Sequence, residues 1–153
     1  IYTLINTLSL HDALPISFAE YNFIRAEAAL RFASPGSAQT FFEAGIRASM
    51  ESAGVAAADI TTYLAANGSL SGSAAQQLEQ IINEKYVANY GVVMEPWTDF
   101  RRTGYPALTL PSNAIVPYFP RSLFYPQSEL DLNPENVTQK KDMSVRVFWD
   151  KRP

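Results

Sequence analysis

Five prolines fall between Tyr105 and Pro126, at positions 106, 111, 117, 120 and 126. A proline inside a helix lacks the backbone N–H and clashes with the preceding turn, so this segment cannot be helical. Large apolar residues, among them Tyr118 and Tyr125, alternate with the prolines and argue against disorder. We therefore predict an extended, irregular strap after Gly104 that covers helices formed by the preceding residues.

Upstream of the strap, apolar residues recur at helical spacing in several segments. Ser17 and Glu20 have the spacing of a capping box and begin the first predicted helix, which ends before Ser34-Pro35-Gly36. The predicted helices run from about Ser17 to Phe32, Ala38 to Ala53, Ala56 to Ala66 and Ala74 to Tyr90. The first two form a tetratricopeptide-like hairpin in which Gly45 allows close approach, and one such hairpin needs neighbours to bury its apolar face.

The fourth predicted helix carries an unusual aromatic row. Leu78, Ile82, Tyr86 and Tyr90 recur at every fourth position, with Ile81 and Val93 beside them. This spacing predicts a helix that buries an aromatic stripe. Gly91 then ends the helix, and Pro96 suits the first turn of a second, short helix.

That short helix holds a dense group of aromatic and charged residues. Trp97, Phe100 and Arg101 lie on one helical face, whereas Asp99 cannot share that face and needs a partner elsewhere. Because buried charges require partners, we interpret Trp97, Asp99, Arg101 and Arg102 as a structural joint between helices. The alternative is that the two arginines bind a ligand carboxylate or a sugar hydroxyl.

After the strap, the pattern is weaker. A short strand pairing is compatible with Ser122 to Tyr125, and Ser128 to Leu130 suits a helical turn. Met143 to Trp149 alternates enough for a strand, but we predict an extended end on which Trp149 docks.

Composition excludes several classes of function. The chain has 153 residues, a net charge of −3 and no basic run, which argues against a nucleic-acid-binding surface. It has no cysteine and no stretch of ~20 apolar residues, so disulfides, thiolate catalysis and an apolar membrane helix are excluded. No metal or cofactor motif is present. Two carboxylate pairs, Glu95 with Asp99 and Glu129 with Asp131, are the only basis for a hydrolase.

The first residues do not resemble natural protein sequence. Thr7 to Ile16 reads TLSLHDALPI, which matches the translation of a common sequencing adapter, so we exclude Ile1 to Ile16 from fold reasoning. His11 is the only histidine of the chain and lies inside this segment. A catalytic or metal-binding histidine is therefore not expected.

Two stretches carry a family resemblance. "INEKYVANYG…EPWTDFRRTGYPAL" and "PRSLFYPQSELDLNPENV" resemble the C-terminal part of the SusD/RagB-like family, which has a W-x-D-x-R-R-T-G-Y-P signature. The resemblance covers about Tyr21 to Trp149. It implies an all-α, tetratricopeptide-like fold in an outer-membrane lipoprotein that covers a TonB-dependent transporter. Members carry a signal peptide and a lipidated cysteine, so we expect residues 17–153 to be the C-terminal part of such a domain.

The resemblance implies a non-catalytic nutrient-binding component, surface-exposed at the outer membrane, with a SusC-like transporter as partner. Its ligand would be an oligosaccharide or a peptide. By chemistry, Tyr105, Tyr118 and Tyr125 are the candidate ligand contacts, because aromatic faces stack on sugar rings. Two alternatives remain from other classes: an intracellular tetratricopeptide-type scaffold that binds peptides, and a glycoside hydrolase fragment.

Overall fold

The computed structural model describes residues 16–150, which form six helices and no β-strand. The helices are α1 Phe18–Phe32, α2 Ala38–Ser52, α3 Ala57–Asn67, α4 Ala74–Ala88, α5 Met94–Thr103 and α6 Gln127–Leu132. The predicted all-α fold is confirmed, and the first four predicted helices agree within one or two residues at each end. The adapter-like residues 1–15, with His11, lie outside the described part of the chain.

The chain divides into two compact units, Ile1–Pro96 and Trp97–Pro153. In the first unit, serines begin three of the helices. The Ser17 hydroxyl accepts from the backbone N–H of Glu20 at 3.0 Å, and Ser37 does the same for α2. At α4, Ser73 and Gln76 form a complete capping box. These serines satisfy N–H groups that have no partner inside the helix, and so they set where each helix starts.

The helical hairpin of α1 and α2 forms the centre of the first unit, and α4 packs against both of its helices. Its core contains Phe23, Phe42, Ile46 and Ile81, with the Phe23 and Phe42 rings edge to face at 6.2 Å. A Cβ atom on Gly45 would lie 2.9 Å from the Phe23 ring. The glycine therefore permits the close approach of α1 and α2 that the sequence predicts.

The predicted aromatic stripe of α4 is wrong. Ile81 and Ile82 are buried, but Tyr86 is 41% exposed, Tyr90 95% and Val93 75%. Four residues advance an α-helix by about 400°, so such a row turns by about 40° at each step. The row that starts at Leu78 thus leaves the buried face after Ile82, and α4 ends at Ala88 before Tyr90 is reached.

At the end of α4, polar residues face the interior in place of the tyrosines that the stripe predicted. Lys85 and Asn89 are buried, and both bind the buried carboxylate of Glu20 on α1. The Lys85 ammonium lies 3.3 Å from Glu20 Oε1, and the Asn89 amide donates to the same oxygen at 3.3 Å. The three groups compensate one another's loss of water, which is the condition for burying them.

The second unit contains most of α5, the strap and α6. Residues 104–126 form no helix, as the prolines predict, and the predicted helical turn at Ser128 to Leu130 lies inside α6. The pairing suggested for Ser122 to Tyr125 does not form a strand, because the N–H groups of Arg121 and Ser122 both donate to one acceptor, the Met143 carbonyl. The end of the described chain bends through turns instead of running extended from Met143 to Trp149.

Candidate functional site

In the second unit, the guanidinium of Arg101, one of the predicted joint residues, lies against two tryptophan rings. Its central carbon lies 3.7 Å from the centre of the Trp97 ring and 4.6 Å from that of Trp149. Both distances are within the range of cation–π attraction. Because Arg101 is only 7% exposed, its charge interacts with ring faces and backbone in place of water.

Hydrogen bonds tie this cluster to the strap. The Trp97 indole N–H donates to the Pro120 carbonyl at 2.9 Å, and Arg101 Nη1 donates to the Arg121 carbonyl at 2.9 Å. Arg121 in turn forms a two-pronged ion pair with the fully buried carboxylate of Asp150, with Nε to Oδ2 at 2.6 Å. Burial lowers the pKa of Arg101, and the charge of Asp150 opposes this effect. The cluster thus connects α5, the strap and the end of the described chain.

Asp99 finds its partner one turn further along α5. Arg102 Nη2 donates to Asp99 Oδ1 at 2.7 Å, and the Thr103 hydroxyl donates to the Asp99 carbonyl at 2.7 Å. Phe100 packs edge to face on Phe119 of the strap at 5.2 Å. These contacts favour a structural role for Trp97, Asp99, Arg101 and Arg102, which remains our prediction for them.

The three candidate tyrosines have different surroundings. Tyr105 and Tyr118 are partly buried, whereas Tyr125 is 40% exposed. The Lys140 ammonium lies 4.7 Å from the centre of the Tyr125 ring, and the Gln139 side chain bonds both backbone groups of Tyr125 at 3.1 Å. Tyr125 is therefore an accessible ring on a restrained backbone, and it is the strongest of the three candidates for a ligand contact.

Two neighbours of Tyr125 were not among the predicted site residues. Leu123 is 64% exposed and Phe124 is 48% exposed. Three consecutive large apolar residues in an extended segment cannot all point inward, because successive side chains alternate in direction. That run was the available sequence signal for an exposed apolar surface at residues 123–125.

Three of the four carboxylates considered for hydrolysis have local partners. Glu129 accepts from the Asn133 amide at 2.9 Å, and Asp131 accepts from Gln127 at 2.8 Å. Asp99 is paired with Arg102, as described above. These contacts give no support to the hydrolase alternative. Among residues 16–150, no three His, Cys, Asp or Glu side chains are grouped to hold a metal ion.

The first unit has a polar cleft of about 280 Å³ that sequence reasoning did not find. Phe42 contributes to its lining, and its polar lining residues are Asn67, Ser69, Ser71, Gln80, Asn83 and Glu84. A second cleft of about 190 Å³ is more apolar, and Phe23, Ile46, Met50, Tyr63 and Glu84 contribute to its walls. Glu84 thus borders both clefts.

A hydrogen bond joins two of these lining residues across α3 and α4. The Tyr63 hydroxyl donates to Glu84 Oε1 at 2.9 Å. Burial raises the pKa of Tyr63 to about 12, and the hydrogen bond and the charge of Glu84 act in the same direction. Burial also raises the pKa of Glu84, although the bond from Tyr63 opposes this effect.

None of the helices formed by residues 16–150 is both long and apolar enough to cross a membrane.

The comparisons with known proteins agree with the all-helical architecture. A SusD-like family model, described as starch-binding and associating with the outer membrane, matches residues 5–126. A Bacteroidetes SusD-like structure is 27% identical with a TM-score of 0.77, over 90% of this chain and 30% of its own. No curated protein sequence matches.

Two further solved structures are similar. A SusD homologue from Bacteroides fragilis is 32% identical with a TM-score of 0.69, over 78% of this chain and 30% of its own. A chitin-binding SusD homologue from Flavobacterium johnsoniae is 28% identical with a TM-score of 0.67, over 86% and 35% respectively. The chain thus spans about a third of the length of the solved structures that it matches.

Proposed function

Because this chain belongs to the SusD-like family, we propose that it is part of a non-catalytic glycan-binding protein of the outer membrane. The observation that carries the proposal is the family match over residues 5–126, which takes in both the helices of the first unit and the strap. The similarity to solved SusD homologues along most of the chain supports it.

The proposed ligand is an oligosaccharide. The family model is described as starch-binding, and the similar protein from Flavobacterium johnsoniae is chitin-binding. These two descriptions select maltooligosaccharides and chitooligosaccharides as the first ligands to test. A peptide is the alternative class of ligand that the family resemblance implies.

The proposed contact surface is the strap, with Tyr125 as its accessible ring and Tyr105 and Tyr118 as the other candidate contacts. Aromatic rings bind the apolar face of a sugar, and a ring held by its backbone loses little conformational entropy on binding. The bonds from Gln139 restrain Tyr125 in this way. Leu123 and Phe124 extend the exposed apolar area next to it.

The proposed partner is a SusC-like, TonB-dependent transporter, and the proposed location is the cell surface through a lipid anchor. Both follow from membership of a family that associates with the outer membrane. Co-purification of the tagged protein with the product of a neighbouring transporter gene would test the partner. A protein that fractionates away from outer membranes in its native host would contradict the location.

Isothermal titration calorimetry with both oligosaccharide series tests the glycan-binding proposal. We expect weak binding by the 153-residue chain that Tyr125→Ala reduces and that Tyr90→Ala leaves unchanged. Tyr90 is a matched control, because it is 95% exposed and lies outside the strap. A reducing-sugar assay should show no hydrolysis. Turnover that is lost on replacing Glu129 or Asp131 would overturn the proposal in favour of a hydrolase.

A further inference from the structure

The second cleft of the first unit, of about 190 Å³, is lined mainly by apolar side chains, and we refer to it as the apolar cleft. Phe23 and Ile46 are almost fully buried in its wall, Met50 is partly buried, and Val87 is 67% exposed. Glu84 is the one charged residue of the lining. The apolar cleft is therefore an apolar space with a single negative charge at its wall.

Glu84 has no cationic partner among the described residues. None of the ion pairs within residues 16–150 includes it, and its neighbour in sequence, Lys85, is paired with Glu20. The hydrogen bond that Glu84 accepts comes from the neutral hydroxyl of Tyr63. A carboxylate that loses water without gaining a cation is unfavourable, so a cation brought by a ligand would find a stabilising contact here.

The second carboxylate oxygen of Glu84, Oε2, is available to such a ligand. It receives no hydrogen bond from the described residues, and it is not one of their fully buried side-chain atoms that lack a partner. Oε2 therefore keeps contact with solvent. Because Tyr63, which binds the other oxygen, also lines the apolar cleft, the carboxylate end of Glu84 lies at this cleft.

Geometry and size select among cations. A guanidinium binds a carboxylate best through two parallel hydrogen bonds, one to each oxygen, but the Tyr63 hydroxyl already occupies Oε1. An ammonium is a compact charge that needs one oxygen, and its aliphatic stem packs on apolar walls such as Met50 and Val87. At about 190 Å³, the cleft is smaller than the roughly 300–1,000 Å³ usual for small-molecule sites, so it suits a short stem.

We propose that the apolar cleft binds an alkylammonium group, whose N–H donates to Glu84 Oε2 while its aliphatic stem contacts Met50 and Val87. The Ser49 hydroxyl is a further polar group on the wall. The ammonium belongs either to a free amine or to a lysine side chain. This site lies apart from the strap, takes a different class of ligand and does not depend on the proposed glycan-binding function.

n-Butylamine hydrochloride is the probe, titrated into the 153-residue chain at pH 8 and constant ionic strength and observed by NMR chemical-shift mapping. The amine keeps its proton at this pH, since an alkylammonium such as that of lysine has a pKa of about 10.4. We expect saturable shifts at Met50, Tyr63 and Val87. n-Butanol has a similar stem without the charge and should bind about tenfold more weakly, because a hydrogen bond to a charged group is the stronger one.

Glu84→Gln is the variant that tests the charge. It keeps the shape of the side chain and an acceptor for Tyr63, so the preference for butylamine over butanol should disappear. Glu51→Gln makes the same change at an exposed carboxylate of α2 and should leave both affinities unchanged. An equal loss in the two variants would show unspecific attraction to negative charge and overturn the site. Equal affinity of the wild type for butylamine and butanol, or shifts confined to Ser69 and Ser71 of the polar cleft, would overturn it as well.

Nα-Acetyl-lysine methylamide distinguishes the two sources of the ammonium. Shifts at the same residues, with an affinity at least equal to that of butylamine, would support the site and assign it to a lysine side chain. Binding of butylamine alone would support the site and assign it to a free amine, whereas binding of neither compound would overturn it. Glycan binding is measured separately by calorimetry, so a failure of this site and a failure of the proposed function are distinguishable.

Discussion

The two units of this chain are stabilised by different kinds of contact. In the first unit, Phe23, Phe42, Ile46, Ile60, Ile81 and Ile82 are almost fully buried. In the described part of the second unit, Phe100 is the only buried apolar residue, and Asp99, Arg101, Ser122 and Asp150 are the buried polar ones. Helices with an apolar stripe stabilise the first unit, whereas directed polar and cation–π contacts hold the strap of the second.

The difference matters because substitutions affect the two kinds of contact differently. Apolar burial is non-directional and roughly proportional to area, so a core tolerates many substitutions of similar size. A buried hydrogen bond or ion pair is directional, and removing one partner leaves the other unsatisfied at a larger cost. Single substitutions that disturb one contact in each unit can therefore test whether this contrast holds.

The largest expected effect comes from a buried polar cluster of the first unit, formed by Glu20, Lys85 and Asn89. Lys85→Met removes the cation from Glu20 and leaves a buried carboxylate with the Asn89 amide as its described donor. We expect a loss of about 3–5 kcal/mol in the free energy of unfolding, measured by urea denaturation. Lys141→Met is the control, because its side chain is 90% exposed and its ion pair with Asp142 is loose at 3.9 Å.

A double variant tests whether the loss of stability in Lys85→Met comes from the charge left on Glu20. Glu20→Leu combined with Lys85→Met removes both charges and should recover most of the lost stability, since apolar replacement of a buried pair is often neutral. If Lys85→Met alone costs no more than Lys141→Met, the buried pair does not contribute, and the first unit depends on apolar packing alone.

The next largest effect tests the second unit. Trp97→Ala removes the ring under Arg101 and the donor to the Pro120 carbonyl. Full burial of a tryptophan would give a loss of about 3–5 kcal/mol, and because Trp97 is only partly buried we expect about 3 kcal/mol. Phe148→Ala, an 86% exposed aromatic residue in the same unit, should change the thermal midpoint little. An unchanged midpoint for Trp97→Ala would mean that the ring is exposed and would move Trp97 to the candidate ligand contacts.

The parts of the structure that the sequence predicts are those fixed by local signals. The Ser17 cap lies next to the start of α1, and the Ser34-Pro35-Gly36 stop lies between α1 and α2, so both helices were predicted within one residue at each end. The prolines likewise excluded a helix between residues 104 and 126. These signals are local, and local steric and capping preferences operate whatever the rest of the chain does.

Contacts between distant residues were not predictable in this way. Glu20 meets Lys85 and Asn89, and Arg121 meets Asp150, but no local pattern pairs them. The predicted burial of Tyr86 and Tyr90 failed for that reason, since their row was read without knowing which face α1 would cover. The polar cleft was not predicted because its wall depends on a hydrogen bond from Gln39 to the Gly68 carbonyl, 29 residues further along the chain.

A smaller effect concerns the close packing of the helical hairpin. Gly45→Ala places a methyl group 2.9 Å from the Phe23 ring, which must shift or strain. Overpacking of this kind costs about 1–3 kcal/mol, readable as a lower urea midpoint. Phe23→Leu should reduce the additional cost of Gly45→Ala, because the smaller side chain makes room. If the two costs simply add, Phe23 is not the obstacle.

The smallest expected effect is a change in how stability depends on pH, caused by the burial of Glu84. Burial raises the pKa of Glu84 in the folded chain, and the Tyr63 hydroxyl opposes this only in part. Between the ordinary and the raised pKa the folded state holds more protons than the unfolded state, so stability falls as pH rises through that interval. Tyr63 adds nothing to this slope, because its pKa is raised to about 12 and it stays protonated throughout.

Glu84→Gln should therefore gain stability relative to the wild type as the pH increases above the ordinary pKa of a glutamate, about 4. Tyr63→Phe provides the matched test, since it removes the bond that favours the carboxylate, raises the pKa of Glu84 further and should steepen the wild-type slope. Thermal midpoints of the three proteins across this pH series measure both effects.

A difference between Glu84→Gln and wild type that stays constant with pH would mean that Glu84 is as well solvated in the folded chain as in the unfolded one. The cleft would then be open to water around Glu84, and the contrast between a well-packed first unit and a polar second unit would be weaker than the buried residues suggest.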